Sequence, residues 1–190
     1  LHREVCTNAA SSYFTHKKLY INDSMNALAV GESIPLNEAQ ISTTLFGICG
    51  GPMMLSDNIV NIGKERLSLI KKCLPRYDEI AHPVDLFTSI YPNDYPKIFN
   101  LRINRDWGSW TVLAIFNFEE KEKKIELKIK KLGLQSKRFY FLYEFWTEKL
   151  EGLVKNEFEI RVPAYSVKLF SIQEKRNYPW VISTDMHITQ

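Results

Sequence analysis

The sequence predicts an α/β layer with too few strands to be complete, followed by a small antiparallel β-sandwich. Three observations lead to this fold class. Helix-like and strand-like segments alternate up to about residue 82, and only two of these segments are strand-like. From about residue 99 the apolar residues recur with a period of two, which is typical of half-buried strands.

The first part, residues 1–82, has the order helix, strand, helix, strand, helix. The predicted helices lie over 3–14, 37–49 and around 67–74, and the predicted strands over 18–21 and 52–55. This order implies parallel strands joined by crossover helices. Because a parallel sheet needs more than two strands and helices on both faces, we expect this part to be the tail end of a larger α/β domain.

The second helix has the clearest local signals. Asn37 is predicted to be its N-cap, with Gln40 three residues later as in a capping box. Apolar residues then recur at i, i+4 and i+7 from Ile41, which predicts one stripe facing a core. Gly50 is predicted to end the helix.

The second part, residues 99–176, is predicted to be an antiparallel β-sandwich that follows a linker over 83–98. Its predicted strands lie over 110–116, 125–129, 138–146, 158–162 and 167–172, with turn residues at short spacing between them. Residues 177–190 are predicted to begin a further strand or segment. Trp110 and Trp146 lie in apolar strands and are expected in the core, whereas Trp107, in a turn, is expected to be exposed.

Composition and motifs exclude several functional classes. The chain of 190 residues is 45% hydrophobic and 25% charged, as folded proteins are, and its net charge of +3 is too small to predict nucleic-acid binding. No apolar run reaches the roughly 18 residues of a membrane span. The cysteines and histidines lack metal-ligand spacing, and no nucleotide-binding or serine-hydrolase motif occurs. We therefore expect no metal, no cofactor, and neither nucleic acid nor membrane as a partner.

An ordered series of segments resembles the melibiase-type α-galactosidases. Residues 19–24 with 28–31 resemble their W-N-D-P-D-M-L-x-V-G segment, 51–57 resemble their A-P-L-L-x-G-x-D strand, and 162–167 resemble their closing P-x-H-S-V strand. The resemblance covers about residues 18 to 172. It implies that residues 1–82 are the last βα units of a (β/α)8 barrel, or TIM barrel, and that the sandwich is the C-terminal domain that follows the barrel.

The activity implied by the resemblance is retaining hydrolysis of terminal α-linked sugars. One carboxylate attacks the anomeric carbon, and a second carboxylate, about 5.5 Å away, acts as acid and base. Neither matching motif occurs here, so the resemblance supplies no catalytic residue. We expect both catalytic carboxylates upstream, in a missing N-terminal barrel segment, and we expect the chain alone to be inactive. The α-glycoside substrate and the missing segment are the partners that this implies.

The candidate substrate-binding residues follow the two predicted strands of the first part. Asn22 and Asp23 follow the first strand and Asp57 follows the second, and TIM-barrel sites form at the carboxyl ends of strands. Such side chains either hydrogen-bond sugar hydroxyls or brace their own loop. The second Asp of the family segment is missing here. Met25 or Asn26 takes its place, which leaves the sugar open.

Two other functions remain open from the sequence. The chain is alternatively a stand-alone carbohydrate-binding module in which the sandwich is the working part, or a non-catalytic interaction domain of unrelated ancestry. A pair of parallel strands with a bare edge and an exposed apolar face favours the glycosidase portion. Complete packing of residues 1–82 against the sandwich favours the module.

Overall fold

The computed structural model describes residues 2–21, 27–75, 78–89 and 93–189. These residues form three layers: helices with a small parallel sheet, a central six-stranded antiparallel sheet, and an outer two-stranded antiparallel sheet. The architecture is therefore mostly antiparallel sheet with few helices, as predicted for the second part. Among the described residues, none of the helices combines the length and the hydropathy that a membrane crossing requires.

The secondary-structure elements are defined as follows in chain order. The helices are α1 (His2–Ser11), α2 (Leu36–Cys49) and α3 (Lys64–Lys72). The strands are β1 (Ala27–Leu28), β2 (Met54–Leu55), β3 (His82–Pro83), β4 (Ile98–Arg105), β5 (Gly108–Asn117), β6 (Lys123–Lys128), β7 (Tyr140–Glu144), β8 (Lys149–Val154), β9 (Glu157–Val162) and β10 (Ser166–Glu174). A single 3-10 turn, Ile129–Leu132, follows β6.

The central sheet has the strand order β3-β4-β5-β10-β7-β8, and its strand β5 contributes to two cores. Val112 and Phe116 face the helical layer, whereas Leu113 and Ile115 face the outer sheet formed by β6 and β9. Successive side chains of a strand point to opposite faces, so an entirely apolar strand is suited to the middle layer. The strands predicted at 110–116, 158–162 and 167–172 are confirmed as β5, β9 and β10.

Helix α2 connects the helical layer to the central sheet. Every residue from Ile41 to Ile48 is buried, so the predicted apolar stripe is confirmed, and burial extends beyond it to the polar residues Ser42, Thr43 and Thr44. The indole Nε1 of Trp146 donates a hydrogen bond to Oγ1 of Thr44 at 3.1 Å. The hydrophobic core between these two layers, the first core, therefore runs without interruption from the helices to the sheet.

The prediction of an N-cap at Asn37 is wrong. Helix α2 begins one residue earlier, at Leu36, after Pro35, and no side chain caps it. The Asn37 amide instead donates a hydrogen bond to the carbonyl oxygen of Tyr165, which precedes β10, at 2.5 Å. The Asn37 side chain thus hydrogen-bonds to the sandwich, although its capping preference would place it at the start of the helix. Gly50 ends the helix as predicted, with a φ of 73° that favours glycine.

The prediction of a strand over 18–21 is also wrong. Those residues form turns, and Tyr20 makes only an isolated bridge with His16. The first parallel strand is β1, in which Ala27 and Leu28 pair with Met54 and Leu55 of β2. The apolar side chains of 19–21 are exposed, whereas Leu28 is fully buried, so burial and pairing decide the strand's position. The strand predicted over 52–55 is two residues longer than β2, which covers Met54–Leu55.

The C-terminal strap, residues 177–189, contains no strand and crosses back from the sandwich to the helices. Ser171 of β10 donates a hydrogen bond to the carbonyl oxygen of Ile182 at 2.9 Å. The Ile188 amide donates to the carbonyl oxygen of Lys72, at the end of α3, at 3.0 Å. The strap therefore joins the central sheet to the helical layer.

Candidate functional site

One predicted site residue, Asp57, lies at the carboxyl ends of β1 and β2. Asp57 lies two residues after β2, and its Oδ2 accepts a hydrogen bond from the Val30 amide, two residues after β1, at 2.6 Å. The Ser56 amide donates to the carbonyl oxygen of Leu28 at 3.1 Å. The two strand ends are therefore tied together, and the Asp57 carboxylate, which is half-buried, lies at the edge where parallel-strand folds form their sites.

The other predicted site residues, Asn22, Asp23, Met25 and Asn26, lie outside the described residues. Asn22 and Asp23 are expected at a strand end because they follow the predicted strand over 18–21. Because that strand is absent and β1 comes after Asn22 and Asp23 in sequence, strand order does not support a site role for these two residues. These four residues remain predictions from the family resemblance.

A charged pair that the sequence does not indicate lies beside this edge. Arg66, in the first turn of α3, has a side chain only 8% exposed, and its Nε lies 3.5 Å from Oε2 of Glu32. The Arg66 Nε and Nη1 atoms are buried without a hydrogen-bond partner. Buried guanidinium donors without acceptors are costly, so this position is suited to an acceptor from another group. Charged residues in a first helical turn are usually solvated, which is why sequence inspection misses Arg66.

Two glycines allow the carboxylates of this edge to lie close to the backbone. A Cβ atom added at Gly31 would lie 2.6 Å from Oδ1 of Asp57, and one added at Gly63 would lie 2.6 Å from Oε1 of Glu32. Any larger residue would displace these carboxylates. The edge is therefore built from two carboxylates and one guanidinium held near the ends of β1 and β2.

The most buried carboxylates of the described chain are bound by backbone amides. Glu144 is fully buried and accepts hydrogen bonds from the amides of Thr147 at 2.8 Å and Leu169 at 3.2 Å. Asp85 accepts from the amides of Lys97 at 3.0 Å and Ile98 at 3.1 Å, while burial raises the pKa of its carboxyl group. Both carboxylates thus stabilise turns and strand starts, and they are not free to react with a sugar.

Thiol and metal chemistry have no support among the described residues. Burial raises the pKa of the Cys49 thiol to about 12 and holds the pKa of the Cys6 thiol well above its usual range. Both thiols are therefore protonated and unreactive at neutral pH. Within the described ranges, no group of three or more histidine, cysteine or acidic side chains is arranged to hold a metal ion.

Comparison with solved structures finds relatives of this fold, although no protein-family model and no curated protein matches the chain. A variant of the GH27 β-L-arabinopyranosidase from Geobacillus stearothermophilus, solved with arabinose, superposes with a TM-score of 0.61 at 17% identity, covering 82% of this chain and 37% of that one. For α-galactosidase I from Mortierella vinacea the TM-score is 0.60 at 16% identity, covering 77% of this chain and 38% of that one. The α-galactosidase of Saccharomyces cerevisiae superposes with a TM-score of 0.59 at 12% identity, covering 78% of this chain and 46% of that one.

The chain thus spans less than half the length of each of these structures. At these identities the likeness concerns the fold. The shared architecture is an antiparallel sheet with few helices, which matches the C-terminal domain of these glycoside hydrolases. The described chain therefore has the fold of the C-terminal portion of the GH27 α-galactosidases.

Proposed function

We propose that this chain is the C-terminal portion of a retaining α-glycosidase, in which residues 1–82 supply the last βα units of a (β/α)8 barrel. One observation carries the proposal. Strands β1 and β2 pair in parallel, and each is followed by a helix, α2 after β1 and α3 after β2. This order is the repeating unit of a TIM barrel. A sheet of two such short strands is at best marginally stable without packing against helices or further strands, which agrees with barrel strands beside it.

The surface of the helical layer supports this proposal. Large apolar side chains are exposed there, including Leu19, Ile21, Met54, Ile59 and Val60. Exposed apolar groups are typical of covered surfaces where they form one contiguous patch, which is what this proposal expects of them. The Arg66 Nε and Nη1 atoms make no hydrogen bond, although Nε is ion-paired with Glu32, and this agrees with a neighbour that supplies acceptors. The partner that we propose is the N-terminal barrel segment.

The substrate in this proposal is an α-glycoside, and Asp57 is its contact within the described residues. A carboxylate has about four acceptor positions. At Asp57 one of these positions accepts the hydrogen bond from the Val30 amide. Its remaining acceptor positions are suited to sugar hydroxyls. The resemblance alone supports contacts from Asn22, Asp23, Met25 and Asn26.

The sandwich has a bracing role in this proposal. Helix α2 is the next element after β1, and it is fixed to the sandwich through the Trp146–Thr44 and Asn37–Tyr165 hydrogen bonds. Retaining hydrolysis needs two carboxylates about 5.5 Å apart. Since Glu144 and Asp85 are bound to backbone amides, we propose that the barrel segment upstream supplies the catalytic pair and that this chain alone does not hydrolyse glycosides.

The test compares the 190-residue chain with the same chain extended upstream along its reading frame, using a nitrophenyl α-galactoside. We expect no turnover by the chain alone and turnover by the extended protein. In the extended protein, Asp57→Asn should raise KM several-fold, whereas Glu126→Gln, on the outer sheet, should leave KM unchanged. Turnover by the chain alone, or none by the extended protein with nitrophenyl α-galactoside and β-L-arabinopyranoside, would contradict the proposal.

A second candidate function is a stand-alone carbohydrate-binding module. The continuous first core favours it, because α2 is buried along its length against the sandwich. The two candidates differ in the need for a partner. A monomeric chain that binds sugars and gains no activity on upstream extension would favour the module.

A further inference from the structure

A cleft lies where the C-terminal strap passes the turn between β4 and β5. Trp107, in that turn, is 73% exposed, and its ring stacks on that of Trp110 with centroids 5.1 Å apart and planes 28° apart. Trp110 is buried, and its Nε1 donates a hydrogen bond to the carbonyl oxygen of Thr189 at 2.5 Å. An exposed indole ring is thus supported by a second indole that the strap holds in place.

The strap forms the facing wall of this cleft at a fixed position. Nε2 of Gln173 donates hydrogen bonds to the carbonyl oxygens of Val181 at 3.2 Å and Ile182 at 2.5 Å. Two adjoining cavities of about 190 Å³ and 240 Å³ share Trp107, Trp110, Gln173 and Val181 as lining residues. The cleft is therefore preformed.

Polar groups complete the lining of the two cavities. Ser183 and Thr184 line the smaller cavity, and Arg176 lines the larger one. The Arg176 guanidinium lies over the rings of Tyr178, at 5.7 Å, and Trp180, at 6.0 Å. Hydroxyl and guanidinium groups can hydrogen-bond vicinal hydroxyls of a ligand, while the indole offers it an apolar face.

We propose that this cleft binds one pyranose ring of a neutral glycan. The C–H groups on the apolar face of a pyranose carry partial positive charge and match the negative face of an indole. The hydroxyls at the ring's edge then reach Ser183, Thr184 and Arg176. A proline-rich peptide also binds aromatic surfaces, and Trp180, which lines the larger cavity, and the exposed Tyr178 add aromatic rings here. The hydroxyl and guanidinium groups of the lining favour the sugar over the peptide. The inference goes beyond the proposed hydrolase, because it concerns binding by the sandwich and needs no turnover.

The test follows the indole N–H signals of the four tryptophans of the 190-residue chain by NMR. The probes are methyl α-galactopyranoside and methyl α-glucopyranoside, with sorbitol as the open-chain control and a proline-rich hexapeptide as the competing ligand. The Trp107 signal is identified by its loss in Trp107→Phe. At least one pyranoside should shift this signal saturably, with an affinity in the millimolar range.

Variants relate the binding to the indole ring. We expect Trp107→Ala to weaken binding about tenfold, the equivalent of one lost aromatic stacking contact. Trp107→Phe should stay within about threefold of the wild type, because a smaller aromatic face remains. Phe87→Ala, which removes another exposed aromatic ring, is the matched control and should change nothing. If Trp107→Ala does not fold, Val181→Glu, at an exposed lining position, tests the same cleft and should also weaken binding.

Three results would overturn the proposal. They are the absence of a saturable shift with either pyranoside, an equal shift with sorbitol, and a shift with the peptide alone. Failure of this binding would leave the hydrolysis test unaffected, since that test depends on the upstream segment and Asp57.

Discussion

Replacement of Gly47 by alanine is expected to destabilise the protein, although alanine is the better helix former. Gly47 lies within α2, and Ile188 of the C-terminal strap packs directly on it. A Cβ atom added at Gly47 would lie 1.7 Å from Cδ1 and 2.7 Å from Cγ1 of Ile188. Ile188 is 2% exposed, so its side chain has no room to shift without leaving its site.

The expected magnitude follows from three contributions. Alanine favours the helix by about 1 kcal/mol relative to glycine. Displacing Ile188 forfeits roughly 1.5–3 kcal/mol of apolar burial. It also breaks the hydrogen bond from the Ile188 amide to Lys72, a loss of about 1 kcal/mol. The free energy of unfolding should therefore fall by about 1.5–3 kcal/mol in Gly47→Ala.

Urea unfolding followed by circular dichroism measures this effect, and Ile188→Ala supplies the control background. In that background the added methyl group has space, so Gly47→Ala should regain about 1 kcal/mol from helix propensity. The double-mutant cycle should thus give a coupling of roughly 2.5–4 kcal/mol. A Gly47→Ala protein that is more stable than the wild type would refute the reasoning, because it would mean that Ile188 does not occupy this position.

Two further predictions concern buried polar groups. Nε2 of His187 lies 2.7 Å from the Pro75 carbonyl oxygen and must donate to it, so Nδ1 accepts from the Thr189 amide at 3.2 Å, and burial lowers the pKa of His187. A lowered folded-state pKa gives stability that is present above the unfolded pKa of about 6.5 and is lost as pH falls through the folded pKa. The urea midpoint should therefore fall on acidification below about pH 6.5, and less steeply in His187→Gln; equal slopes would refute the assignment. Glu144→Ala leaves the Leu169 amide and other buried donors without an acceptor and should cost about 3 kcal/mol in urea unfolding, with a smaller loss in Glu144→Gln; a loss near zero would show that water replaces the carboxylate.

The sandwich could be predicted from the sequence because its signals are local. The alternation of apolar and charged residues in β9, and the continuous apolar run in β5, specify strands without knowledge of their neighbours. The sequence does not predict β4 or β8, and β3 spans the boundary between the first part and the predicted linker. The positions of these three strands depend on pairing with other strands, and a short segment of sequence does not show that pairing.

Long-range contacts explain the failed predictions in the first part. The strand expected over 18–21 has suitable residues but no pairing partner, and β1 is defined by its register with β2. Asn37 bonds to Tyr165, far away in sequence, and so does not cap α2. Arg66 is buried by the fold rather than by any apolar pattern in α3. In the candidate site, only the position of Asp57 could be predicted, because it depends on a strand end alone.

The proposal that residues 1–82 complete a barrel is tested most directly by the oxidation rate of Met54. Met54 lies in β2 and is 56% exposed, and Met186, in the strap, is 75% exposed and serves as the matched control. Peroxide oxidation of each methionine is followed by mass spectrometry in the 190-residue chain and in the upstream-extended protein. We expect upstream extension to protect Met54 while Met186 stays reactive. An unchanged Met54 oxidation rate in a folded extended protein would contradict the account.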